Sequence, residues 1–289
     1  MKEYIFVILS AVLLAVDFLI ARLYQKAEGT TPVKVFRFNF FIGLFSAVIF
    51  FFINGCRFEF TWFSAILALV MTSLAILYTL IGFKILAEGN TAYYSFFLMT
   101  GGMVVPYVWG ILFLDEEFSF LRMAGLALII GAAFVIHAGG KKLSPKIIVM
   151  CASIFLLNGF VSVISKEHQI SDTAVSSSAY VILTSLVKVF VCGGILIAYS
   201  VKGGNSVPRQ KSGVKSTLLL AGSALASGLS YMLQLDGASK LPATVLYPIV
   251  TGGSIVFTAL AGWLALKERP TKQMIFGLII CVAGTCLFL

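Results

Sequence analysis

Two ionisable side chains stand deep inside apolar stretches, Asp17 in LLAVDFLIAR and Lys188 in TSLVKVFVCGG. A charge in such surroundings costs roughly 3 kcal/mol or more at the centre of a bilayer, so each needs a partner, water, a proton or a ligand. The carboxylate can bind and release a proton or hold a cation; the plainer alternative is a hydrogen bond to a neighbouring helix. The ammonium can be a counter-ion for Asp17, a ligand for an anionic group, or a head on a stem that reaches back to the surface. Together the two could accept a zwitterion such as an amino acid.

Uncharged polar residues repeat at helical spacing around these charges. Lys188 continues a stripe of Ser177, Tyr180 and Thr184, spaced three, four and four, which is one helical face. Ser223, Ser227, Ser230 and Gln234 form a second stripe, and Asn158, Ser162 and Ser165 a third. A fourth runs Thr244, Tyr247, Thr251, Ser254, Thr258, and a fifth Tyr93, Phe96, Thr100, Met103, Tyr107. Small hydroxyl residues at this spacing often only bond neighbouring helices, whereas tyrosines and threonines along a path suit a solute with apolar and hydrogen-bonding parts. The candidate substrate-binding set is Asp17, Lys188, Tyr93, Thr100, Tyr247, Thr251, Ser254, Asn158, Tyr180 and Gln234. Catalysis has no such support. There is no phosphate loop and no Ser/His/Asp set, and His137, His168 and the five cysteines lack metal spacing. No cofactor, metal or disulfide is expected.

The elements that position these residues follow from composition. Of 289 residues, 60% are hydrophobic and 11% charged, and mean hydropathy is +1.02. A soluble domain carries about 25% charged residues, and crossing a bilayer takes about 20 apolar residues per helix. The chain reads as an all-α integral membrane protein with ten spans, about 4–24, 33–54, 61–87, 91–114, 119–137, 147–166, 174–200, 215–236, 242–266 and 271–289. The first follows only Lys2 and Glu3, without a small-residue cleavage site, and is expected to be retained. The net charge of +9 gathers in loops beside span ends, which fits an anionic bilayer and not nucleic acid.

An internal repeat organises the spans. At an offset of 151, TAYYSFFLMTGGMVVPYVWGILFLDEE (91–117) lies on PATVLYPIVTGGSIVFTALAGWLALKE (242–268), with Thr-Gly-Gly and the closing Glu117 and Glu268 in register. The halves, 1–140 and 141–289, hold five spans each, and an odd number turns the second copy over. Two inverted five-helix repeats suit alternating access.

The duplicated order resembles the EamA-type domain of the drug/metabolite transporter superfamily across essentially the whole chain. FRF (36–38), KILAEGNTA (84–92), ILFLDE, LALKE and the Gly-rich fifth and tenth spans carry the likeness. The first span is also similar to the first helix of small multidrug resistance proteins, whose single membrane acid binds protons and cations. Repeats of the EamA type often place proline fourteen residues before the closing Glu, where this chain has Met103 and Ser254. Any helix break must then come from Thr-Gly-Gly, Pro106 or Pro248. Glu117 and Glu268 read as structural punctuation near the start of the following helix, and Arg37 as an interfacial anchor. Basic residues concentrate on the side opposite the amino terminus, which favours both termini outside; the resemblance implies both inside.

These readings point to a secondary transporter of a small organic solute in the cell membrane, a bacterial inner membrane being the expected setting, with protons as a candidate coupling ion. Its expected partners are the substrate and the bilayer, as monomer or homodimer. A flippase for lipid-linked substrates and a non-transporting scaffold are the alternatives.

Overall fold

The computed structural model describes residues 2–29, 31–87, 91–137, 144–202, 213–267 and 270–289. Those residues form ten α-helices and no strand: α1 Lys2–Glu28, α2 Pro32–Ile53, α3 Trp62–Ala87, α4 Thr91–Phe113, α5 Phe120–His137, α6 Pro145–Ile170, α7 Ser177–Lys202, α8 Val214–Ala238, α9 Ala243–Leu266 and α10 Lys272–Cys286. Eight are long and apolar enough to cross a membrane by length and composition; α5 and α10 are apolar but shorter. The chain is a multi-pass membrane protein.

Local signals set several helix ends. Ser144 caps α6, its Oγ accepting the Ile147 N–H at 3.4 Å ahead of Pro145, and Thr271 caps α10 through Met274 N–H at 3.2 Å. Side-chain oxygens here satisfy N–H groups that the first turn leaves unpaired. Gly29 (φ 88°) ends α1, and Gly55 (φ 66°) follows α2, conformations open to glycine without a Cβ clash. Helices α1 and α6 outrun their apolar stretches by about a turn. Gln25-Lys26-Ala27-Glu28 and Lys166-Glu167-His168-Gln169 are polar but helix-compatible, so hydropathy falls before the helix stops.

No break interrupts α4 or α9. Both helices run unbroken through Thr-Gly-Gly and through Pro106 and Pro248, and the glycines serve close packing instead. A Cβ on Gly101 would strike the Phe155 carbonyl of α6, and one on Gly252 would strike Thr285 of α10. Glu268 lies outside the described residues, and Glu117 is exposed. The punctuating acid is its neighbour Glu116, which bonds the start of α9 and not of the following helix.

Helices α1–α5 and α6–α10 interleave. Helix α1 lies along α8 and α9, α2 along α7 and α8, α3 along α6 and α7, α4 along α6 and α9, and α5 along α10. Successive helices alternate in direction. At one end Glu116 after α4 meets the start of α9, and Thr61 before α3 meets Thr173 before α7. At the other, Ser216 of α8 donates to Glu28 of α1 (2.5 Å), and Gln273 of α10 donates to Val135 O of α5 (2.7 Å). Large apolar side chains such as Leu112, Phe190 and Leu218 point outward, as expected of surface in contact with lipid.

Candidate functional site

The two deep charges of the sequence come together. Asp17 is half-buried in α1, and its Oδ1 accepts the Ser223 hydroxyl of α8. Lys188 of α7 is half-buried within electrostatic reach of that carboxylate. No contact ion pair joins them, and the Lys188 ammonium has no hydrogen-bond partner among the described residues. Room for the lysine stem comes from α2, where Gly43 faces Lys188; a Cβ at Gly43 would stand 3.0 Å from the Ser185 carbonyl and 3.4 Å from the Lys188 Cβ. Ser46 of α2 donates to Ala224 O of α8 at 3.1 Å, and Ser230 of α8 to Ser10 O of α1 at 2.8 Å. The site is therefore walled by α1, α2, α7 and α8. It holds one carboxylate, one ammonium and a row of hydroxyls, groups able to bind opposite charges on one small molecule.

A second group gathers two predicted tyrosines with one that sequence reasoning missed. Tyr180 of α7 is fully buried, stacked on His168 of α6 at 3.6 Å, and its hydroxyl has no hydrogen-bond partner among the described residues. Tyr231 of α8 lies beside it, ring centroids 6.5 Å apart, and its hydroxyl shares a 2.9 Å hydrogen bond with Ser165 of α6. Tyr247 of α9 donates to Ser162 O at 2.5 Å. Along α7, Tyr180 precedes Lys188 by eight residues, about 12 Å at 1.5 Å per residue. The tyrosines thus form a separate layer above the charged pair.

The remaining predicted residues lie elsewhere or bond locally. Asn158 of α6 donates to Leu98 O of α4 at 2.7 Å, and Tyr93 packs into an apolar cluster with Ile85, Ile147 and Ile154. Thr100 is buried and turns its hydroxyl to Phe96 O of its own helix (2.7 Å), as Ser254 does to Thr251 O (2.9 Å). Thr251 and Gln234 are half-buried, and neither side chain makes a hydrogen bond among the described residues. Arg37 lies over the Phe41 ring, 5.8 Å from its centroid.

Charged residues that read as loop or surface groups turn out to be bonded inside. Lys166 is buried and donates to Ala238 O and Leu241 O, both at 2.7 Å. His168 sits between the rings of Phe63 and Tyr180 and shares a 2.8 Å hydrogen bond with Ser64 of α3. Glu167 accepts the Trp109 indole N–H at 2.6 Å. Helical spacing places Lys166 and His168 on the polar end of α6, but their partners lie far away in sequence.

Residues 146–289 match the model of the EamA-like transporter family. Through this half the chain belongs to the EamA-like transporter family. The matched segment contains α6–α10, and so Lys188, Ser223 and the tyrosine layer, while Asp17 enters from the other half. Among curated proteins, no sequence matches the chain. A solved crystal structure of a protein, 13% identical, superposes with a TM-score of 0.77 over 99% of this chain and 96% of that chain. At that identity the likeness concerns fold alone, and it runs over nearly the whole chain, both the matched half and the other.

Proposed function

We propose that this EamA-like protein is a secondary transporter that moves a small organic solute across the cell membrane by alternating access, with Asp17 as its proton- or cation-responsive group and Lys188 as the ligand for an anionic moiety. The observation that carries this reading is the Asp17–Ser223–Lys188 cluster, in which opposite charges from both halves face each other mid-helix without contact. Both charges retain capacity for a ligand, and bringing them out of water is costly without one. In this reading all ten helices span the membrane, as inverted repeats 1–140 and 141–289. Helix pairing supports that symmetry: exchanging α1–α5 with α6–α10 turns the α1–α8 contact into α6–α3 and α1–α9 into α6–α4, while α2–α7, α4–α9 and α5–α10 map onto themselves.

The test is uptake into proteoliposomes across a panel of metabolites and cationic drugs, comparing the native chain with Asp17→Asn and Lys188→Ala. Loss of proton-driven uptake in the first and loss of affinity for anionic or zwitterionic solutes in the second are expected. Native rates in both variants would remove the two residues from the mechanism.

A flippase is the second reading. An apolar groove of about 150 Å³ between α1, α9 and α10, lined by Ile8, Gly253, Phe257 and Val282 among others, favours it because an acyl chain fits such a surface. Translocation of a labelled lipid, with no uptake of water-soluble solutes, would select it.

A further inference from the structure

Two acidic loops of the first half reach across to the second half at the same end of the molecule. Between α2 and α3, Glu59 Oε2 accepts the backbone N–H of Ser176, just before α7, at 2.9 Å. Around it, Ser178 donates to Asn54 Oδ1 at 2.5 Å and Thr61 donates to Thr173 O at 3.1 Å. Between α4 and α5, Glu116 accepts the N–H of Ala243 at 2.6 Å and of Thr244 at 2.8 Å, the first two of α9. A carboxylate on these otherwise unpaired donors makes charge-assisted hydrogen bonds at the positive end of a helix. Lys166, from α6, holds the other side of the same α8–α9 turn through the Ala238 and Leu241 carbonyls.

The two ends of the molecule differ. At the clasped end Tyr107, Tyr180 and Thr244 bury hydroxyls with no hydrogen-bond partner among the described residues, as Thr258 does toward the opposite end. At the opposite end a cavity of about 270 Å³ opens among α1, α4, α5, α9 and α10, with Met99, Thr258, Trp263 and Met274 in its wall. The repeat offset of 151 sets Lys267 opposite Glu116. The repeat therefore does not reproduce the Glu116 latch at the opposite end, where Glu28 accepts a side-chain hydroxyl, that of Ser216.

We infer that Glu59 and Glu116 are the latches that hold one end of the path shut, and that transport requires their release. The inference rests on the alternating-access reading of the two halves. Replacing Glu116 with Gln sets an NH₂ donor against one of two N–H donors, and both Gln variants lose the charge. In reconstituted protein, spin labels at Glu117→Cys and Lys240→Cys, exposed residues on either side of the latch, report the gap across that end. With Glu59→Gln and Glu116→Gln the population at long distance should rise at least five-fold relative to the native latches. Hydrogen exchange, which needs no cysteine replacement, should quicken at least five-fold in peptides over 178–184 and 245–250. An unchanged distance distribution and unchanged exchange in a variant of native helical content overturns the latches. A widened gap in a protein that transports no solute retains the latches and overturns the transport reading instead.

Discussion

Held apart but within electrostatic reach, Asp17 and Lys188 differ from a buried ion pair whose charges are spent on each other. The Ser223 hydroxyl stabilises the carboxylate, while the ammonium makes no hydrogen bond among the described residues. Both residues were legible in the sequence because charge inside an apolar run is rare and conspicuous. Ser223 was visible only as one serine in a stripe, since nothing local distinguishes the one that meets a carboxylate from those that pack. Glu59 was not legible at all: an acid in a loop reads as solvated until its partner, 117 residues away in sequence, is known. The Ser176 N–H holds its carboxyl below the usual carboxylate range, with smaller help from Asn54 and Arg57. A depressed folded-state value means that Glu59 stabilises the fold above its unfolded pKa of about 4.3 and that this is lost as pH falls through the folded value. Thermal unfolding should therefore place Glu59→Gln below the native chain at pH 7, by at most about 1 kcal/mol for so solvent-accessible a group. The gap should close under strong acid. Parallel curves from pH 7 to pH 3 would mean that the Ser176 bond contributes nothing to stability.

At the scale of elements, glycine separates helix contacts that tolerate a side chain from those that do not. Gly159 of α6 and Gly101 of α4 lie against each other: a Cβ on Gly159 would strike Val105 and stand 2.9 Å from the Gly101 carbonyl. Gly131 of α5 has nothing within 4 Å of its Cβ position. Gly159→Ala should lower the melting temperature through overpacking, about 1–3 kcal/mol. Gly131→Ala should leave it unchanged or raise it, because alanine is the better helix former by about 1 kcal/mol. Equal shifts in detergent for both variants would contradict the close α4–α6 approach. Helix number and type were readable from apolar runs, and most boundaries fell within a few residues because Gly29, Ser144-Pro145 and Thr271 are local signals. The continuity of α4 was not readable. A helix with Thr-Gly-Gly and Pro106 in one stretch has weak local support, and α6 and α9 pack against it along its unbroken course.

The whole molecule is built so that neither half can satisfy itself. Helices α1, α2 and α4 find their most extensive neighbours in α8, α7 and α6, whereas contact within the first half, as between α3 and α4, is slight. Chains covering 1–140 or 141–289 alone would thus expose faces that carry Ser10, Ser46, Asn158 and Ser230, whose hydrogen bonds run to the other half. Such groups left unpaired within a bilayer cost more than they do in water. Each half expressed alone should consequently be degraded or aggregate, while coexpressed halves should assemble, co-purify and recover the protease resistance of the intact chain. The break between α5 and α6 is the favourable place for the cut, since among the described residues no extensive pairing joins those two helices. If a half alone were monodisperse and protease-resistant, the interleaved packing could not be the source of stability. If the coexpressed halves failed to associate while the intact chain folded, the covalent link, and not complementarity of the two faces, would be what brings Asp17 of one half to Lys188 of the other.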